Sequence, residues 1–236
     1  MTYVPLWTKE KPLREVDCAN YGKALCDIES HMPRYHVYRE SDKVTWSHET
    51  THGLNSLLRN KHNVASALYM LNNNAFLFAD HPKTTLEHIS RLTTYKGGVY
   101  NLYLIQQQQY WNKQPLYVLD EWVSYINGSI TGLELNLNRG ESIEYALEFN
   151  FYAQALIEAV EQDDSNYSDL DILANFIGWC VGLTFELFNE AIGTNMEKPI
   201  HDQLVLQFSN PDSGNVMSIP PTPGTMCGNH LEFSRN

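Results

Sequence analysis

Two histidines and a glutamate stand together in His48-Glu49-Thr50-Thr51-His52. Histidines four apart lie on one face of an α-helix, where two imidazole nitrogens can meet one metal ion; in an extended strand they would be about 13 Å apart. Glu49 is adjacent to that face and can reach a water on the metal. The pattern is two ligands and a base of a hydrolytic metal centre, provided a helix carries it. The neighbouring residues agree: Val44, Thr51, Leu54, Leu57 and Leu58 form an apolar stripe, with His48, His52, Asn55 and Ser56 on the other side. Nine histidines would give on the order of 0.02 such matches by composition alone, which makes chance a poor account. The competing reading is a pair of surface histidines on an amphipathic helix.

Catalytic zinc takes three protein ligands and keeps a fourth position for water. The continuation HExxHxxGxxH is absent, because Asn55 and Leu58 occupy the places of its glycine and third histidine. Cys18 and Cys26 precede the motif but lack the Gly-Cys-Leu context of a cysteine-ligated deformylase. An acid on a later helix remains, and the strongest candidate is Glu121. Leu116, Leu119, Val123 and Ile126 give its segment an apolar stripe, and Glu121 lies beside it with Tyr117, Ser124 and Tyr125. A half-buried acid there needs a partner, and a metal is one. Pairing of Glu121 with a Lys or Arg is the other role open to it. Glu144 and Glu148 on an acidic helix, and His81 or His88, are the other possible ligand sources.

These residues resemble the zincin metallopeptidases whose third ligand is a glutamate on a downstream helix, the gluzincins, such as thermolysin-like and anthrax lethal-factor-like enzymes. HExxH and the segment around Asp120-Glu121-Trp122 carry the resemblance, which covers residues 35–128. It implies one zinc ion per chain on His48, His52 and Glu121, with Glu49 as general base on the attacking water, and hydrolysis of a peptide or protein substrate. Tyr117 or Tyr125 would stabilise the oxyanion, and Asn55 or Asp120 would orient a histidine ligand. The substrate would lie along an edge strand, supplied by 99–105 or 75–80. The alternatives are a zincin-fold binding or assembly module that holds metal without proteolysis, and a helical interaction protein with no metal.

The elements that must position these groups are an α+β set, mostly helical. The pattern predicts a small sheet packed on the HExxH helix and a mainly helical C-terminal half, as one zincin-like domain over 1–236. Its parts are a wrapping segment 1–34 with one short helix near 18–30, a metal-site core 35–128, supporting helices within 129–195 and an extended Pro- and Gly-rich tail 196–236. Strands are expected at 35–40, 75–80 and 99–105, with a further β-rich stretch at 84–89. Helices are expected at 44–60, 116–127 with Asn127-Gly128 as C-cap, 142–162 and 169–192.

Composition narrows the function classes. The 236 residues carry 16 Lys and Arg against 28 Asp and Glu, a net charge of -12. Nucleic-acid and anionic-membrane binding need clustered bases, and the basic runs here are short and interrupted. The charge favours basic or neutral substrates. The richest apolar stretch, 172–192, is interrupted by Asn175, Gly178, Gly182, Glu186 and Asn189, so it reads as a buried helix of a soluble protein. With no apolar leader at its start, the chain is expected to be cytoplasmic by default or supplied without an export signal. Cys18 and Cys26 are close enough for a local bridge, and free thiols are equally compatible. Oligomeric state is not encoded in any motif.

Overall fold

A computed structural model describes residues 7–137 and 140–192. Helices dominate, with one three-stranded antiparallel sheet, which makes the chain α+β. The expected tail 196–236 lies outside the described residues.

Helix α1 spans Gly22–His31 and helix α2, which carries the motif, spans Lys43–His62. Asp42 caps α2: its carboxylate accepts from the Val44 N–H at 3.2 Å and from the Thr45 hydroxyl at 2.5 Å. Asn63 ends it in a left-handed conformation, φ 52°, which asparagine tolerates well. The chain turns directly into strand β2, Ser66–Tyr69, and returns through β3, Asn74–Phe78. Strand β1, Trp7–Lys9, pairs with the other side of β3, so the sheet order is β1-β3-β2 and β3 is central.

Three strand expectations are corrected. The 35–40 segment is irregular, with Tyr35 and Val37 exposed, because nothing pairs with it and its alternating side chains face no core. The 84–89 stretch opens helix α3, Leu86–Leu92: Thr85 caps it by accepting from the His88 N–H, and Leu86 and Ile89, three apart, point inward. The 99–105 segment becomes a π-helix, Asn101–Gln106, followed by the short α4, Gln108–Trp111. The wider turn buries Tyr103 and Leu104 while Leu102 and Ile105 face out, a division that a two-residue period cannot produce.

Helix α5, Tyr117–Glu134, runs straight through Asn127-Gly128 instead of ending there. Gly128 is buried against α2: a Cβ on it would sit 3.1 Å from the Val44 carbonyl oxygen and 3.6 Å from the His48 Cβ. One turn later, a Cβ on Gly132 would meet Val44 Cγ2 at 3.1 Å. Small residues let the two helices approach closely, and a buried polar set locks their register. The Thr131 hydroxyl donates to Ser47 Oγ at 2.9 Å, Ser47 donates to the Asn127 carbonyl at 3.2 Å, and Asn127 Nδ2 donates to the Tyr69 carbonyl at 2.9 Å.

Helix α6, Gly140–Asp163, covers the far side of α5, and helix α7, Leu170–Ile192, covers α6. Phe176 of α7 also meets Phe76 and Phe78, which share one sheet face, at ring distances of 4.6 and 6.0 Å. The stretch Leu170–Ala191 is long and apolar enough to cross a membrane, and half of it is buried inside the fold. Cys18 and Cys26 are joined in a disulfide with Cα atoms 5.4 Å apart, which resolves the two expectations for that pair.

Candidate metal centre

His48 and His52 lie one above the other on α2, and the α2–α5 contact brings Glu121 to them. His52 Nε2 is 3.1 Å from His48 Nε2 and 3.3 Å from Glu121 Oε2, and His48 Nε2 is 3.6 Å from the same oxygen. These three residues form a group that could hold a metal ion. Among the described residues it is the one such group of three or more His, Cys, Asp or Glu.

Three observations fit a metal there. Neighbouring ligands of a tetrahedral ion at 2.0–2.1 Å are about 3.3 Å apart, which the observed 3.1, 3.3 and 3.6 Å bracket. Glu121 Oε2 is buried with no well-formed hydrogen bond, and its nearest ring nitrogens are those of His52 and His48 at 3.3 and 3.6 Å. A carboxylate oxygen left so deep without a donor is costly unless a cation completes it. Lastly, His52 is oriented from behind: Nδ1 lies 2.9 Å from Asp120 Oδ2 and 3.2 Å from Ser124 Oγ. With Nδ1–H donating to the carboxylate, the Nε2 lone pair faces the centre.

Asp120 is itself held. Asn55 Nδ2 donates to Asp120 Oδ1 at 2.5 Å, and Asn55 Oδ1 accepts from the Tyr69 N–H at 2.7 Å. Both residues expected to orient a histidine therefore act in series. Tyr125 packs its ring on His48 at 4.4 Å, and its hydroxyl meets that of Tyr103 at 2.7 Å.

Electrostatics follow from the crowding. Burial opposes charge on His52, but Asp120 and Glu121 outweigh it and hold the imidazole well above its ordinary pKa. Burial likewise works to raise the Glu121 carboxyl, and the two imidazoles outweigh it and bring it down to about 2.

The centre borders a cleft of about 380 Å³. Glu49 lines it from α2, exposed to solvent, as do His52, Asn55 and Glu121. Tyr117 lines it too, stacked on Trp111 at 5.2 Å with the rings parallel to within 1°. Burial and the Glu121 carboxylate push the Tyr117 hydroxyl above its ordinary pKa, so it stays protonated. Of the two tyrosines expected near Glu121, Tyr117 faces the cleft and Tyr125 packs against His48.

The other expected ligand sources lie elsewhere. Glu148 accepts from the Tyr152 hydroxyl and the Val99 N–H, and His88 Nδ1 bonds Asp163 at 2.6 Å. His81 lines the cleft without joining the cluster. The edge-strand expectation is corrected: 75–80 falls on the central β3 and 99–105 on the π-helix, whereas Ser66 and Ala67 of the edge strand β2, with Ala65 just before it, line the cleft. Sequence puts Ser124 on the Glu121 face without giving it a role, and it gives Arg59 none, although Arg59 continues the series His52, Asn55 and Ser56 on one helix face. Comparison with known proteins gives no match to a family model, a characterised protein or a solved structure.

Proposed function

We propose that the chain is a zinc-dependent metallopeptidase. The observation that carries this reading is the convergence of His48, His52 and the buried Glu121 carboxylate beside a cleft that also presents Glu49. Zinc held there supplies Lewis acidity, polarising a scissile carbonyl and making water acidic enough to ionise near neutral pH. Glu49, next to a ligand and open to the cleft, takes a proton from the attacking water and delivers it to the leaving amine. Tyr117, protonated and on the cleft wall, donates to the developing oxyanion. Asp120 keeps the His52 lone pair aimed inward, and Ser124 restrains the same ring. A peptide pairs with the β2 edge at 65–67, alongside α2.

Elemental analysis of the purified protein beside Glu121→Ala tests the site: about one zinc per chain is expected, lost in the variant. Glu49→Gln is expected to keep zinc and lose turnover by at least about 100-fold. Zinc without any chelator-sensitive cleavage of a peptide library would instead support the non-proteolytic binding module, and a protein that takes up no zinc would remove both.

A further inference from the structure

The cleft has a second end whose chemistry the peptidase reading leaves unused. Arg59 lies seven residues beyond His52 on α2, about 10 Å along the helix axis, and lines the same cleft. Arg59 is half-buried, and its guanidinium makes one long side-chain contact, Nη2 to Ser56 Oγ at 3.3 Å. Among the described residues it has no ion pair within reach. In a chain with 28 acids to 16 bases, that is not for want of carboxylates. The acids of the cleft are placed elsewhere: Asp120 is held by His52 and Asn55, Glu121 belongs to the cluster, and Glu49 is about 15 Å of helix away from Arg59.

His81 lines the same cleft and lies near enough to Arg59 to feel its charge. Its Nδ1 is buried with no hydrogen-bond partner. Burial, with the nearby positive charge of Arg59 adding to it and Asp80 opposing, holds the ring below the ordinary histidine value. An imidazole with an unmet nitrogen at the cleft wall and a guanidinium without an ion pair thus line one cleft, close enough for the charge of Arg59 to reach His81.

We infer that Arg59 and His81 form a carboxylate subsite, and that the substrate carries a carboxylate about three residues from the bond to be cleaved. The distance follows from chain geometry: an extended peptide advances about 3.3–3.6 Å per residue, so three residues cover the helix rise between His52 and Arg59. Arg59 pairs with the carboxylate through its planar fork, and His81 supplies a further hydrogen bond. The free C-terminus of a peptide and an internal acidic side chain share this chemistry. The placement of the cleaved bond rests on the metallopeptidase reading; the subsite does not.

The test uses a hydroxamate-headed Ala-Ala-Ala peptide, whose head group chelates zinc, prepared as the free acid and as the C-terminal amide. Both are titrated calorimetrically into the zinc-loaded full chain. The acid is expected to bind roughly 10- to 100-fold tighter than the amide. That ratio is expected to fall to near one in Arg59→Gln and to an intermediate value in Arg59→Lys, which keeps the charge but not the fork. A second amidated pair, with Asp or Asn at the third position, separates the two sources: preference for Asp identifies a side chain, preference for the terminal acid identifies the C-terminus, and each supports the subsite. Equal binding of the two members within each pair, a ratio that survives Arg59→Gln, or binding of neither peptide would overturn it. No bond is cleaved in this assay, so a protein that holds zinc without turnover can still pass, and an active peptidase can still fail.

Discussion

Asp120 and Glu121 are adjacent in sequence and act on opposite sides of the same imidazole. Glu121 meets His52 at Nε2 and Asp120 meets it at Nδ1, so two adjacent residues of α5 supply both a candidate metal ligand and the group that orients another. Asp120→Asn keeps the size but removes the charge that favours the required tautomer; a 10- to 100-fold weaker zinc affinity is expected, measured by competition with a chromophoric chelator. Glu10 shows how the chain treats an acid away from the centre. Its buried carboxylate holds Lys61 Nζ at 2.5 Å and His62 Nε2 at 2.8 Å, tying the residue after β1 to the end of α2. Burial raises its pKa, but the two partners outweigh burial and leave it below the ordinary value of 4.5. A carboxylate depressed in the folded state stabilises the fold above the unfolded-state value and loses that contribution as pH falls through the folded one. Glu10→Gln is therefore expected to cost about 1–2 kcal/mol at pH 7, a gap that urea denaturation should show closing as the pH falls below the ordinary value of 4.5 and through the lowered folded one. The centre was legible because HExxH fixes its own geometry and an acid beside an apolar stripe needs a partner. Ser124 and Arg59 carried no such mark, since a serine and an arginine on a helix face are ordinary until the fold shows what lies opposite.

The spacing between α2 and α5 sets the distance between the histidines and Glu121, and Gly128 sets that spacing. Gly128→Val would bring side-chain atoms against the Val44 carbonyl and the base of His48. The expected result is a loss of about 1–3 kcal/mol in thermal or urea unfolding, together with at least tenfold weaker zinc binding in the same chelator competition. Retention of full affinity would mean that Glu121 does not depend on this contact. Sequence placed α2, α5, α6 and α7 because long apolar periods at helical spacing have few other uses. It misread Asn127-Gly128 as a helix end, since a glycine needed for close packing has the same letter as one needed for a left-handed cap. The 99–105 segment has the β-branched and aromatic content of a strand. Packing of Tyr103 against Phe149 at 5.3 Å, with its hydroxyl on Tyr125, makes it a π-helix instead, and neither partner is local.

Across the whole molecule, the sheet, the motif helix and the ligand helix are joined through a small number of buried polar side chains. The layers themselves follow from pattern: α6 and α7 bury α5 and the sheet with apolar faces that the sequence displays openly. What pattern does not display is how the layers communicate. Asn55 is held at both ends of its amide, by the Tyr69 N–H and by Asp120, so the edge strand, a side chain on α2 and a carboxylate on α5 are linked in one line to His52. Removing the metal should free His52 first, then slacken Asp120 and Asn55, and finally the backbone of β2. The Tyr69 amide would accordingly exchange its hydrogen for deuterium faster in the metal-free chain, on the order of tenfold if the link is worth about 1.4 kcal/mol, while amides at the centre of α6 keep their protection. Mass spectrometry of peptides spanning 66–69 would record it, and unchanged exchange there would show that the line is broken. The edge strand would then be a recorder of metal occupancy, readable at an amide that touches no ligand.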